Sequence, residues 1–227
     1  MEEAKEILLH VGKVYAGLES YRDEGCLTVS KGPGDKPPII VNFKTYFKRP
    51  QFFRFEKFYP QRSLDNSFVL WCDGKSVARQ SNKYIQQLSE HFLFRNTLKD
   101  LERALSAVEE AQPIANLLLE KLVGKKIAEL PSIAFIRDEQ IEGDDCVHLQ
   151  SLAPSGICDI WISTKTYAVK KLVEQEFVID SQETLKVASS VQPMRRIPVS
   201  SEYVFSTIAF NERLEDGLFR IPVAPSG

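Results

Sequence analysis

Between Ile39 and Phe68 the chain alternates in chemical character with a period of two while packing in seven of its 14 phenylalanines, and few folds accommodate both. Ile39, Val41, Phe43, Thr45 and Phe47 take one phase; Asn42, Lys44 and Lys48 take the other. Successive side chains on a strand point to opposite faces, so one face of this strand is oily and the other water-facing. Pro50 withholds a backbone donor and suits a strand end. Phe52, Phe53 and Phe55 follow at once, so the Lys48-Arg49-Pro50 connection is read as joining two antiparallel strands. A sheet face with this many rings has to pack on something apolar, either helices or a ligand.

The other segments agree with a sheet-rich chain. Ala4, Ile7, Leu8, Val11, Tyr15 and Leu18 recur at helical spacing behind an acidic first turn, which predicts an amphipathic helix over Glu2–Leu18. Strands are expected at Tyr21–Ser30, Pro38–Lys48, Gln51–Tyr59, Ser67–Cys72 and Ser76–Gln80, with Asp73-Gly74 as a hairpin turn. Helical spacing returns from Asn82 to Gly124, with Pro113 at a helix start and a run from Ile114 to Val123 richer in apolar residues than one buried stripe requires. Strands resume at Ile133–Gln140, Cys146–Ser151, Ile157–Ser163, Ala168–Val178, Glu183–Val191 and Val199–Phe210, and the tail Leu214–Pro222 is expected to be extended. Without alternation of strand and helix the sheet should be antiparallel and strongly curved, with helices on its concave side. The whole chain, residues 1–227, is read as one domain carrying a helical insert at about 82–124.

Composition narrows the function classes. A net charge of −2 supplies no field for holding nucleic acid, and the basic residues Lys44, Lys48, Arg49, Arg54 and Lys57 are read as the solvated outer face of the aromatic strands. No apolar run approaches the ~20 residues that span a bilayer. The first residues lack the basic and apolar regions of a secretory signal, so the chain is either cytoplasmic or a mature exported protein whose signal was removed. Cys26, Cys72, Cys146 and Cys158 are read as buried thiols. If the segments around Leu152–Gly156 form a hairpin, Cys158 lies opposite roughly Gln150, too far from Cys146 for an unstrained bridge.

Chemistry-bearing motifs are sparse. His10, His91 and His148 have no ligand-type residue at helical spacing on a plausible face, and no zinc, calcium, phosphate-loop or dinucleotide motif occurs, so neither metal nor cofactor is expected. The paired carboxylates Asp23-Glu24, Asp138-Glu139, Asp144-Asp145 and Glu215-Asp216 read as turn and edge charges. No catalytic residue is expected. A hydrolase or transferase would instead require His148 to be buried beside an acid and a hydroxyl.

Lys48-Arg-Pro-Gln-Phe-Phe-Arg-Phe-Glu56, Phe68-Val-Leu-Trp-Cys-Asp-Gly-Lys75 and Asp216-Gly-Leu-Phe-Arg-Ile-Pro-Val223 resemble, in order and spacing, segments of the LolA/LolB/RseB-like outer-membrane lipoprotein carrier superfamily. Glu142-Gly-Asp-Asp-Cys-Val-His-Leu149, Cys158-Asp-Ile-Trp-Ile162 and Val169-Lys-Lys-Leu-Val173 are similar to hallmarks of a family of predicted periplasmic proteins within it. The resemblance implies an α+β, mainly β chain: a half-open curved antiparallel barrel of about 11 strands, with an N-terminal helix and inserted lid helices. It implies a periplasmic, non-enzymatic carrier or chaperone whose apolar cavity accepts a lipid or lipoprotein acyl chain. Phe43, Phe47, Phe53 and Phe55 are then expected to line that cavity beneath Leu117 and Leu118, and Arg49 matches the arginine that ties barrel to lid. The alternative is an envelope sensor or interaction module that binds a peptide or partner protein, by adding a strand to the open sheet edge.

Overall fold

The chain opens with helix α1 (Glu2–Ala16), whose Ala4, Leu8, Val11 and Tyr15 form the buried stripe anticipated from their spacing. The computed structural model describes residues 2–32, 37–61, 67–81, 84–87, 97–119, 127–153, 156–179 and 196–222. After α1 come β1 (Ser20–Lys31), β2 (Ile39–Lys48), β3 (Phe52–Phe58), β4 (Phe68–Asp73), β5 (Val77–Ser81) and β6 (Tyr84–Gln87). Helices α2 (Thr97–Ser106) and α3 (Gln112–Leu118) follow, then β7 (Ile133–Ile141), β8 (Asp144–Ala153), β9 (Gly156–Ser163), β10 (Val169–Ile179) and β11 (Arg196–Phe210).

All of these strands belong to one antiparallel, curved, open sheet in the order β6-β5-β4-β3-β2-β1-β11-β10-β9-β8-β7. Every pairing in it joins strands that are neighbours in sequence, except one. There β1 pairs with β11 from Tyr21–Phe210 to Lys31–Val199, joining the two halves of the chain into a continuous surface. On β2 the buried positions are Val41, Phe43, Thr45 and Phe47, alternating with half-buried ones as the sequence requires. Phe47 faces Phe53 and Thr45 faces Phe55 across the β2–β3 pair, so the rings gather on the concave side. Helices α1, α2 and α3 lay their apolar residues on the same side, forming one core with the sheet. Within α3 every residue from Pro113 to Leu118 is buried, so this helix is enclosed all round.

Gly25 explains how β1 runs beneath the aromatic cluster. A Cβ built there would lie 2.4 Å from the ring of Phe43 and 2.6 Å from the carbonyl oxygen of Val204, so only a residue without a side chain lets Phe43 lie flat on β1.

Three expectations need correction. Residues 84–87 are strand and not the start of a helix: Tyr84 and Ile85 favour extended backbone, the edge of β5 supplies a ladder for them, and so short an apolar stretch fits either period. The tail is not extended throughout, since Asp216–Phe219 forms a 3-10 turn. That turn buries Phe219 against Phe52, 5.5 Å between centroids, and lets Arg54 donate to the Leu218 carbonyl at 2.7 Å. Finally, Cys158 lies opposite Ser151, one residue from the expected partner, and Cys146 opposite Ser163; all four cysteines are free. The strand expected at Glu183–Val191, His91, and the helix end at Gly124 lie outside the described residues. Six described strands therefore precede the helices and five follow, against an expectation of five and six.

Candidate functional site

The concave interior has a closed part and an open part. In the closed part Phe43 stacks on Phe55 at 6.1 Å and meets Phe205 edge-on at 5.6 Å. Phe47, Phe53, Phe55 and Leu118 are 0% exposed, while Phe43 and Leu117 are 2% and 5% exposed. The structure thus brings together all six residues expected to line a cavity, but as packed core: none of them is among the walls of the main cavity.

The open part is a cavity of about 630 Å³ at the end of the sheet where β1 leads to β2 and β10 to β11. Its walls continue the concave faces of those strands: Leu27 and Val29 of β1, Ile39 and Val41 of β2, Leu172 of β10 and Tyr203 of β11. Pro113, Ile127 and Leu130 close it from the helical side. Val41 and Phe43 sit two residues apart on one strand face, so cavity and closed core are successive levels of one apolar interior. The rim is polar, with Lys31, Glu109, Glu110, Glu174 and Glu176. Lys57 pairs with Glu110 at 2.6 Å, both largely buried. Burial, and next the charges of Glu174, Glu110, Glu109 and Glu176, hold the Tyr203 phenol well above its usual range.

Sequence reasoning missed these cavity walls because six of the twenty lining residues come from β10 and β11, whose position depends on the β1–β11 pairing. The legible signal was on β1, where Leu27, Val29 and Lys31 share one strand phase that turns from apolar to charged at its end.

Arg49 sits at the opposite end of β2. Its Nε donates to the Leu18 carbonyl at 2.7 Å, and its guanidinium also reaches the carbonyls of Ala16 and, at 3.4 Å, Tyr15. Its backbone N–H donates to Glu19 at 2.9 Å. A cation at a helix C-terminus satisfies carbonyls that the helix itself leaves open and complements the dipole. Among the described residues Arg49 therefore fastens the β2–β3 turn to the end of α1.

Beside that end lies a buried polar cluster. Tyr21 donates to Asp23 Oδ2 at 2.7 Å, the Thr45 N–H donates to Asp23 Oδ1 at 3.0 Å, and the Val169 N–H donates to the Tyr15 hydroxyl at 3.1 Å. Asp23 is fully buried at the irregularity between Arg22 and Glu24 in the β1–β11 ladder. Burial pushes its carboxyl up to about 6, against the lowering effect of the bonds from Tyr21 and Thr45.

The hallmark residues on β8 and β9 converge on the other, convex face. Leu149 and Ile160 are paired and belong to the core, so His148, Asp159 and Trp161 point the opposite way. The His148 ring lies on Trp161 at 4.2 Å and nearly parallel, its Nε2 is 2.8 Å from Asp159 Oδ1, and Gln150 donates to the same oxygen at 2.9 Å. Trp161 Nε1 and Arg137 donate to Glu139, and these bonds hold that carboxyl below its usual range. The ammonium of Lys171 lies over the other side of Trp161, 5.1 Å from the ring centroid. His148 is thus buried beside acids, as an acid–base site would need, but on the face away from the cavity. No group of three or more His, Cys, Asp or Glu residues among the described residues could hold a metal. Cys72 is pushed up to about 12 by burial, and Cys146 is raised for the same reason, which suits inert thiols and not nucleophiles.

Solved structures similar to this chain include LprF from Mycobacterium bovis, at 11% identity over 99% of each chain with a TM-score of 0.48. A LolA superfamily protein from Nitrosomonas europaea is 11% identical over 96% of this chain and 97% of that one, with a TM-score of 0.38. A chain in the Pseudomonas aeruginosa MucA/MucB complex is 9% identical over 95% of this chain and 60% of that one, with a TM-score of 0.45. No curated protein matches the sequence. Residues 4–186, which carry α1, the aromatic strands, the helices and the His148–Trp161 hallmark, match the family described as predicted periplasmic protein (DUF2092), and the chain belongs to that family.

Proposed function

We infer that this protein binds an apolar ligand, a lipid or lipoprotein acyl chain, in the open end of its half-barrel, and acts in the periplasm as a carrier or chaperone and not as an enzyme. The observation that supports this reading most is the cavity of about 630 Å³ walled by Leu27, Val29, Ile39, Val41 and Leu172, a size typical of small-ligand pockets. Each buried methylene contributes ~0.8 kcal/mol, so about ten of them give roughly 8 kcal/mol before the costs of association. Phe43, Phe47, Phe53, Phe55, Leu117 and Leu118 are the inner wall, which a longer chain enters only by repacking them, and Arg49 keeps α1 fixed on the sheet while that happens. The family description as periplasmic agrees with this setting. The inert thiols and the position of His148 away from the cavity favour binding over catalysis.

A second reading, the binding of a peptide or partner protein as an added strand, is favoured by the edge strand β7. Among the described strands it pairs only with β8, and its Phe135 and Ile136 are exposed.

Native mass spectrometry of protein purified from cells should reveal a bound lipid, and a fluorescent naphthylamine dye should bind and be displaced by fatty acid. Val29 and Ile39 are only partly buried, so Val29→Glu and Ile39→Glu should fold yet lose the dye, because a charge in the wall has to be desolvated. Unchanged dye and lipid binding in both folded variants would reject the cavity and favour the strand-addition reading.

A further inference from the structure

The mouth of the cavity has a chemical sign as well as an apolar wall. On β10 Leu172, Glu174 and Glu176 share one strand phase, so the concave face changes from hydrocarbon to carboxylate within two residue pairs as it nears the opening. Glu109 and Glu110, in the 3-10 turn just before α3, approach from the helical side. A water-soluble rim needs only polar groups; this one collects four carboxylates against one lysine. Tyr203 is 4% exposed, lines the same cavity, and pairs in register with Leu27 and Leu172 of the apolar wall. Among the charged side chains of the described wall the one balancing cation is Lys31, which is exposed; Glu110 is in addition paired with Lys57. Glu174 and Glu176 engage other groups too, so the attraction rests on the summed field at the opening and not on a free carboxylate.

Resting on the reading of the mouth as a ligand cavity, we propose that the ligand is an amphiphile whose apolar chain ends in a cationic group, an ammonium or substituted amine, held between the Tyr203 hydroxyl and the carboxylates of Glu109, Glu174 and Glu176. The chain lies against Leu27, Val41 and Leu172, and the head group stays at the opening, where the acids compensate its charge and water still reaches it. An amphiphile with an anionic head meets the same hydrocarbon but a repulsive rim.

Three probes with the same twelve-carbon chain separate the contributions: dodecyltrimethylammonium, dodecanoate and dodecyl maltoside, each kept below its micelle concentration and titrated against dye-loaded protein. At low salt the cation should displace the dye at a concentration at least tenfold lower than dodecanoate, with the maltoside between them. The gap should narrow severalfold at 0.5 M salt, where the Debye length falls to a few Å. The double variant Glu109→Gln/Glu174→Gln, folded by circular dichroism, should lose most of the preference for the cation while keeping its affinity for the maltoside. Maltoside binding without any preference for the cation, or a preference the double variant retains, overturns this inference and leaves the apolar cavity standing. Failure of all three probes to bind overturns the cavity and this inference together.

Discussion

Replacing Asp23 by Asn removes the one charge buried in the β1–β2 interior while preserving the shape of its site. The amide oxygen can still accept from the Thr45 N–H, 3.0 Å away, and the amide nitrogen can face Tyr21. The carboxyl titrates near 6 in the folded protein, above its ordinary 3.8, because burial disfavours the charged form. A raised folded pKa means the native state holds the proton more tightly than the unfolded chain does. The corresponding stability is fully present below about pH 4 and is lost as pH rises through about 6. With 1.36 kcal/mol per pKa unit, the loss between pH 4 and pH 7.5 is roughly 3 kcal/mol in order of magnitude. The Asp23→Asn variant carries no such dependence, so relative to the parent it should gain roughly 3 kcal/mol on going from pH 4 to pH 7.5. Urea unfolding of both proteins at pH 4.0, 5.5 and 7.5, followed by tryptophan fluorescence, measures this difference, in which the other titrating groups cancel. A difference that stays constant across the three pH values, or one that favours the parent as pH rises, would refute the argument that burial dominates at Asp23.

Gly25→Ala forces its new methyl into the Phe43 ring and the Val204 carbonyl; the expected cost is about 2–3 kcal/mol, read as a lower urea midpoint. Arg49→Leu removes the donor that serves the carbonyls of Ala16 and Leu18; about 1–2 kcal/mol should be lost, and amide exchange should accelerate chiefly in the last turn of α1. The four thiols should all be alkylated after denaturation without reductant, since none is bridged; a mass lower by two hydrogens would contradict this.

The period-two run from Ile39 to Phe47 predicted which side chains of β2 turn inward, and the burial of Val41, Phe43, Thr45 and Phe47 follows that phase. The spacing of Ala4, Leu8, Val11 and Tyr15 predicted the buried stripe of α1 in the same way. The phenylalanines that look most suited to a ligand are packed into the core, where Phe205 meets Phe43 edge-on. The His148–Asp159–Trp161 group was visible as two separate motifs. Only the β8–β9 register, which sets His148 opposite Trp161 and Gln150 opposite Asp159, makes them one network.

By itself the sequence determined the strand phases around the aromatic cluster, the opening helix, and helical spacing in the stretch that holds α2 and α3, because these depend on residues close together along the chain. Tertiary structure alone decided the pairing of β1 with β11, the strand at Tyr84–Gln87, the turn that buries Phe219, and the gathering of four acids at one cavity. Local periodicity tells a strand which face is oily but not which strand lies beside it. That choice is made by the curvature that closes the sheet and by what the facing surfaces can bury, and so the cavity was set by contacts between residues far apart in sequence.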